Sequence, residues 1–173
     1  RMSADRKLAA GTIVEIDLAP ANADAFGDFT TTVAFGMDDE PELVSDARAL
    51  CRGVCGFASR WKCTGEVYVF ADAWANNHRA TLGEAGAIGH MCLPRRGRSG
   101  WAWPYAARVA IQMRRHQVHW FNHRRMHGFY ALAPRLVRGE HACGFGEMVY
   151  IDGDTRRIVG RGHESEVGTL PPV

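Results

Sequence analysis

The spacing of apolar and polar positions changes several times along the 173 residues, and each change marks an element. Residues 11–18 (GTIVEIDL) set Ile13, Glu15 and Asp17 against Thr12, Val14 and Ile16. This loose alternation predicts an edge-type strand. Residues 19–26 are Ala-rich with Pro20 and read as a loop. Residues 28–35 (DFTTTVAF) have the β-branched and aromatic content of a second strand. From Pro41 to Trp61 the spacing lengthens, and Leu43, Ala47, Leu50, Val54, Phe57, Ala58 and Trp61 fall on one helical face. Asp39 can cap such a helix and Pro41 fits its first turn. Glu40 and Glu42 precede Arg48, Arg52 and Arg60, the order the helix macrodipole prefers. A long core helix is therefore predicted over about 41–61.

Residues 65–72 (GEVYVFAD) predict an apolar strand, 76–86 a loop, 87–93 (AIGHMCL) another strand, and 94–100 an exposed turn-rich loop. Residues 104–127 admit two readings. As a helix they would start at Pro104 and stop before Gly128. As strands, Val109, Ile111 and Met113 alternate with Arg108, Ala110, Gln112 and Arg114, with a turn near Asn122–Arg125. Val, Ile, Trp and Phe favour strands. A strand at 127–133 (HGFYALA) follows. A hairpin is predicted from 146–151 and 155–159 around Asp152-Gly153-Asp154, and 163–173 reads as an irregular tail. The fold class expected is α+β, a mainly antiparallel β-sheet packed on one long helix, in a single domain spanning 1–173.

Composition fits that picture. A chain that is 46% hydrophobic and 23% charged can bury a core without disulfide or metal staples. Cysteines 51, 55, 63, 92 and 143 are odd in number and irregular in spacing, unlike a secreted disulfide framework. The segment Arg1 to Ala9 is polar and lacks the apolar core of a signal peptide. The apolar runs are too short to cross a bilayer. An intracellular, reducing compartment is expected.

The charges change the picture more. From Ala85 to Gly139 there is no Asp or Glu, yet the stretch holds Arg95, Arg96, Arg98, Arg108, Arg114, Arg115, Arg124, Arg125, Arg135 and Arg138. Residues 1–84 carry a net −5, this stretch +10, and 140–173 a net −3. Guanidinium groups without local carboxylates need neutralising. Three things could do it: the acidic flanks folding back, a polyanion such as nucleic acid, or an acidic protein partner or self-association. Trp101, Trp103, Tyr105, Trp120, Phe121, Phe129 and Tyr130 share the stretch, and Arg with aromatics is a composition suited to stacking on bases.

Site-like constellations are sparse. His116, His119, His123 and His127 form one stripe on a helix, suited to a metal, a haem or a pH switch. On a strand His119 and His123 lie roughly 13 Å apart and cannot share an ion. Cys51 and Cys55 make three zinc ligands on paper with Cys63, or four with His90 and Cys92, but lack the usual knuckle spacing. Asp38, Asp39, Glu40 and Glu42 are explained by helix-start electrostatics. No nucleophile elbow, P-loop or dinucleotide fingerprint occurs. No catalytic residue, metal or cofactor is assigned.

Some segments resemble known families. Gly144-Phe-Gly146-Glu-Met148-Val-Tyr150-Ile-Asp152-Gly153 resembles one MORN repeat, with weaker echoes at Gly65-Glu-Val67, Gly89-His-Met91 and Gly128-Phe-Tyr. The resemblance implies a scaffold, self-association or lipid-surface role. Glu164-Ser165-Glu166 has the E-x-E spacing of ADP-ribosyltransferases. A strand, a long helix and several antiparallel strands are loosely similar to the hot-dog fold. That implies an enzyme acting on acyl thioesters, with His78, His90, Asp72 and Glu84 as polar candidates.

The leading expectation is a non-enzymatic binding or assembly protein. Its contact would be an Arg/aromatic-rich face over 85–139, formed by Arg108, Arg114, Arg115, Arg124 and Arg125 with Trp101 and Trp120. The alternatives are the hot-dog-like enzyme and a structural subunit without independent activity.

Overall fold

A computed structural model describes residues 7–20, 27–58, 64–83, 87–92, 112–114, 128–152 and 157–159. Among these residues ten strands and two helices run in the order β1 (Ile13–Leu18), β2 (Phe29–Ala34), α1 (Glu42–Ala58), α2 (Thr64–Asn77), β3 (Thr81–Leu82), β4 (Ala87–Cys92), β5 (Gln112–Arg114), β6 (Gly128–Leu132), β7 (Arg135–Arg138), β8 (His141–Gly144), β9 (Glu147–Asp152) and β10 (Arg157–Val159). Every strand pair is antiparallel. The strands form a five-stranded sheet ordered β10-β9-β6-β4-β5, a three-stranded sheet ordered β3-β7-β8, and the two-stranded ribbon β1-β2.

The mixed α+β class with antiparallel sheets is as expected, but the single long helix is corrected to two. In α1, Val44, Ala47, Leu50, Cys51, Val54, Cys55 and Ala58 make the buried stripe, and the helix ends at Ala58. Residues 65–72, expected as a strand, lie in α2. Its apolar run looked β-like because Val67, Tyr68, Val69 and Phe70 are β-branched or aromatic. Burial instead follows helical steps through Val67, Tyr68, Ala71 and Ala75, while Val69 is exposed. Two small faces meet where the Phe57 and Phe70 rings stack with centroids 4.1 Å apart.

Both helices cover the sheets. The core joins their apolar stripes to Ile88, Tyr130, Leu132, Leu136, Cys143, Phe145 and Val149. The strands expected at 11–18, 28–35, 87–93 and 127–133 are present, as is the β9–β10 hairpin. Within the ambiguous 104–127 stretch, residues 112–114 are strand β5, paired with β4. The rest of that stretch, and the tail 163–173, lie outside the described residues. No described helix is long and apolar enough to cross a membrane.

The ribbon β1-β2 is fastened to the body by few atoms. Thr30 exchanges backbone hydrogen bonds with Gly146. The Thr32 hydroxyl donates to the Gly144 carbonyl at 2.7 Å and accepts from the Gly144 N–H at 2.9 Å. Thr30 and Thr32 are buried by this contact. Small residues permit the approach: a Cβ at Gly146 would lie 2.8 Å from that of Ala133.

Candidate functional site

Beside the ribbon lies a carboxylate whose titration is displaced by its surroundings. Asp17, near the end of β1, sits opposite Thr30 in the ribbon register. The Thr30 hydroxyl donates to Asp17 Oδ1 at 3.3 Å. Asp28 lies just before β2, near enough to Asp17 for the two charges to interact. His90, on β4, places Nε2 3.2 Å from Asp28 Oδ2, with the Asp28 side chain 21% exposed and that of His90 38%. Burial pushes the Asp28 carboxyl above its ordinary range; the His90 charge works against this, and the nearby Asp17 charge adds to it.

Backbone geometry fixes His90. The preceding Gly89 has φ +149°, and a Cβ there would come within 2.1 Å of the Ala131 carbonyl oxygen. The β4–β5 register shifts between Ala87 and His90, while β4 pairs regularly with β6 from Gly89↔Leu132 onward. A glycine-bearing bulge thus re-aims His90 towards the ribbon.

The arrangement can do two things chemically. Two adjacent carboxylates attract a cationic group such as an ammonium. A histidine bonded through Nε2 to a carboxylate presents Nδ1 as the proton-accepting nitrogen of its neutral ring, and the carboxylate stabilises the imidazolium that follows. Among the described residues no three His, Cys, Asp or Glu side chains group as a metal set. The zinc set drawn on paper does not form from its described members. Cys51 and Cys55 are buried core thiols, and Cys51 faces the Leu132 carbonyl at 3.8 Å.

No family model matches the chain, and no curated protein matches its sequence. Solved structures do. A methionine aminopeptidase from Rickettsia prowazekii superposes with TM-score 0.56 at 14% identity, over 86% of this chain and 64% of its own. An X-Pro aminopeptidase from Thermotoga maritima MSB8 gives 0.58 at 12% identity, over 86% of this chain and 39% of its own. A prolidase from Pyrococcus furiosus gives 0.57 at 15% identity, over 95% of this chain and 44% of its own. The chain shares its fold with part of each of these structures. It spans less than two thirds of each of these peptidases.

This finding corrects the expected function. The reading of a non-enzymatic binding or assembly protein gives way, because the solved structures that share the fold are enzymes. The hot-dog alternative gives way because the fold matched is that of two aminopeptidases and a prolidase. Arg108, Arg115, Arg124, Arg125, Trp101 and Trp120 lie outside the described residues, as do the side chain of Arg114 and the histidine stripe. Arg135 and Arg138, from the same basic stretch, are described, and both are paired to acids from the amino-terminal third: Arg135 to Glu15 at 2.9 Å, and Arg138 to Asp46 at 2.7 Å and Glu42 at 3.7 Å. Of the polar candidates, His90 reaches the site. His78 lies past the end of α2, Asp72 lies within α2, and Glu84 is outside the described residues. Asp17 and Asp28 were missed. Their signal was available: two acids flanking one loop between two predicted strands.

Proposed function

We propose that this chain is an enzyme acting on peptides at their amino-terminal end, with Asp17, Asp28 and His90 as its reacting centre. The observation that carries the reading is the partly desolvated Asp28–His90 pair inside a fold shared with two aminopeptidases and a prolidase. In this reading the Asp17 carboxylate, with Asp28 behind it, attracts the substrate ammonium. His90 takes the proton of the attacking water while Asp28 holds the ring and balances the imidazolium.

The test is hydrolysis of unblocked di- and tripeptides beside their N-acetylated counterparts, with divalent cations supplied and withheld. Cleavage of the unblocked set alone is expected. Asp28→Asn and His90→Gln should each lower kcat/KM by about 10²-fold or more. A folded wild-type chain that cleaves none of the unblocked peptides overturns the proposal. So does a His90→Gln variant with unchanged turnover.

A further inference from the structure

A second polar site shares no residue with the Asp28–His90 centre. A cavity of about 430 Å³ is lined by Glu42, Asp46, Asn77, His78, Arg79 and Arg138. It lies where Glu42 opens α1 and Asn77 closes α2. Each charge there suits the helix end it occupies: carboxylates at the positive start of α1, a guanidinium just past the negative end of α2.

The two guanidiniums differ. Arg138 is committed to the protein, bound to Asp46 and Glu42 and donating to the His78 carbonyl at 2.8 Å. Arg79 makes no ion pair among the described residues. Its backbone is left-handed, with φ 53°, where its N–H closes the helix end on the Asn76 carbonyl. Glycine would take that conformation at lower cost. Arg79 is exposed and lines the cavity, with no ion-pair partner among the described residues. Glu42, its side chain 82% exposed, makes its ion-pair contact among the described residues with the committed Arg138, at 3.7 Å. His78 is fixed by stacking on Trp74 at 3.5 Å and by an Nδ1 contact to the Trp74 carbonyl at 2.8 Å. A carbonyl only accepts, so Nδ1 carries the proton and Nε2 is the acceptor of the neutral ring.

The charge pattern selects the ligand. Glu42 and Asp46 would repel a polyanion, and Arg79 would repel a simple cation. A molecule carrying both signs at short separation bridges the two. The volume lies within the range of small-molecule sites. We propose that this cavity binds a small zwitterion of the free α-amino acid type, its carboxylate on Arg79 and its ammonium on Glu42. The inference is independent of the peptidase reading.

The experiment is calorimetric titration of the whole chain with L-serine, N-acetyl-L-serine, L-serinamide and inorganic phosphate. Serine should bind, and blocking either end should weaken binding at least about tenfold. Arg79→Gly should abolish binding while leaving thermal stability equal or higher, since glycine relieves the left-handed backbone. Glu42→Gln should weaken binding by a similar factor. Asp28→Asn should leave it unchanged, which separates this cavity from the reacting centre. No serine binding up to about 10 mM overturns the proposal. So does binding that survives Arg79→Gly, binding lost with Asp28→Asn, or equal affinity for the end-blocked compounds or phosphate.

Discussion

Asp28 and Gly89 act on one another through His90, and each predicts a measurement. The raised carboxyl of Asp28 means that the folded state holds its proton more tightly than the unfolded chain does. Its contribution to stability is therefore fully present below the unfolded carboxylate range and is lost as pH rises through the folded value. Asp28→Asn should make the protein more stable than wild type at neutral pH, and the difference should shrink to nothing in acid. Urea denaturation at several pH values reads this directly; a variant less stable at neutral pH contradicts it. Such a cost, tolerated at a group next to a histidine, is the pattern of a functional carboxylate. At Gly89 the backbone decides. A methyl group meets the Ala131 carbonyl oxygen at 2.1 Å, so Gly89→Ala should cost about 3 kcal/mol and displace His90. Thermal unfolding checks the first effect, and the chemical shift of the His90 ring checks the second.

Several strands and the first helix were legible because burial there follows the simplest sequence period, whereas β7, β8 and the short β3 inside the expected loop 76–86 were not anticipated. β2 alternates buried Thr30 and Thr32 with more exposed neighbours, and α1 buries one clean stripe. α2 was not legible as a helix. Its buried positions pair the alanines Ala71 and Ala75 with Val67 and Tyr68, so the run of large residues from Val67 to Phe70 advertises a strand while burial follows helical steps. The site was half legible for a related reason. His90 stood out as a polar residue in an apolar strand. Asp17 and Asp28 gained meaning only once the ribbon brought them together and burial acted on one of them. The ribbon depends in turn on a seam that no periodicity announces. Thr32 is 1% exposed and satisfies both backbone groups of Gly144. Thr32→Val keeps the shape but leaves a buried N–H and a buried carbonyl without this partner. A loss of about 2 kcal/mol is expected, with faster amide exchange along β1 and β2 than in β6 and β9. Uniform exchange across all four strands would mean that the seam does not hold the ribbon.

Across the whole molecule, the segregated charges and the ribbon's two faces are connected. The ribbon turns Glu15 and Asp17 inward and leaves Ile16, Leu18 and Val33 on the opposite side, each more than a third exposed. The apolar side thus faces away from the body, and a guanidinium meets one of the carboxylates on the other side. Arg135 reaches Glu15 from β7, and three residues along the chain Arg138 reaches Asp46 and Glu42 on α1. Acid-poor middle and acid-rich amino-terminal third are thus joined at two points, one fixing the ribbon and one fixing the first helix. The two links should differ in weight. Arg135 is half exposed, so its pair is screened and Arg135→Gln should cost less than about 0.5 kcal/mol. Arg138 is 31% exposed, its partner Asp46 only 20%, and it also holds the His78 carbonyl at the end of α2. Arg138→Gln removes a charge partner from a partly desolvated carboxylate and a donor from a helix terminus together, for about 1–2 kcal/mol. High salt should erase most of the Arg135 effect and little of the Arg138 effect. Denaturation of both variants at low and high ionic strength distinguishes them. Equal costs, or equal salt sensitivity, would place the two arginines in the same solvated environment and remove the ranking.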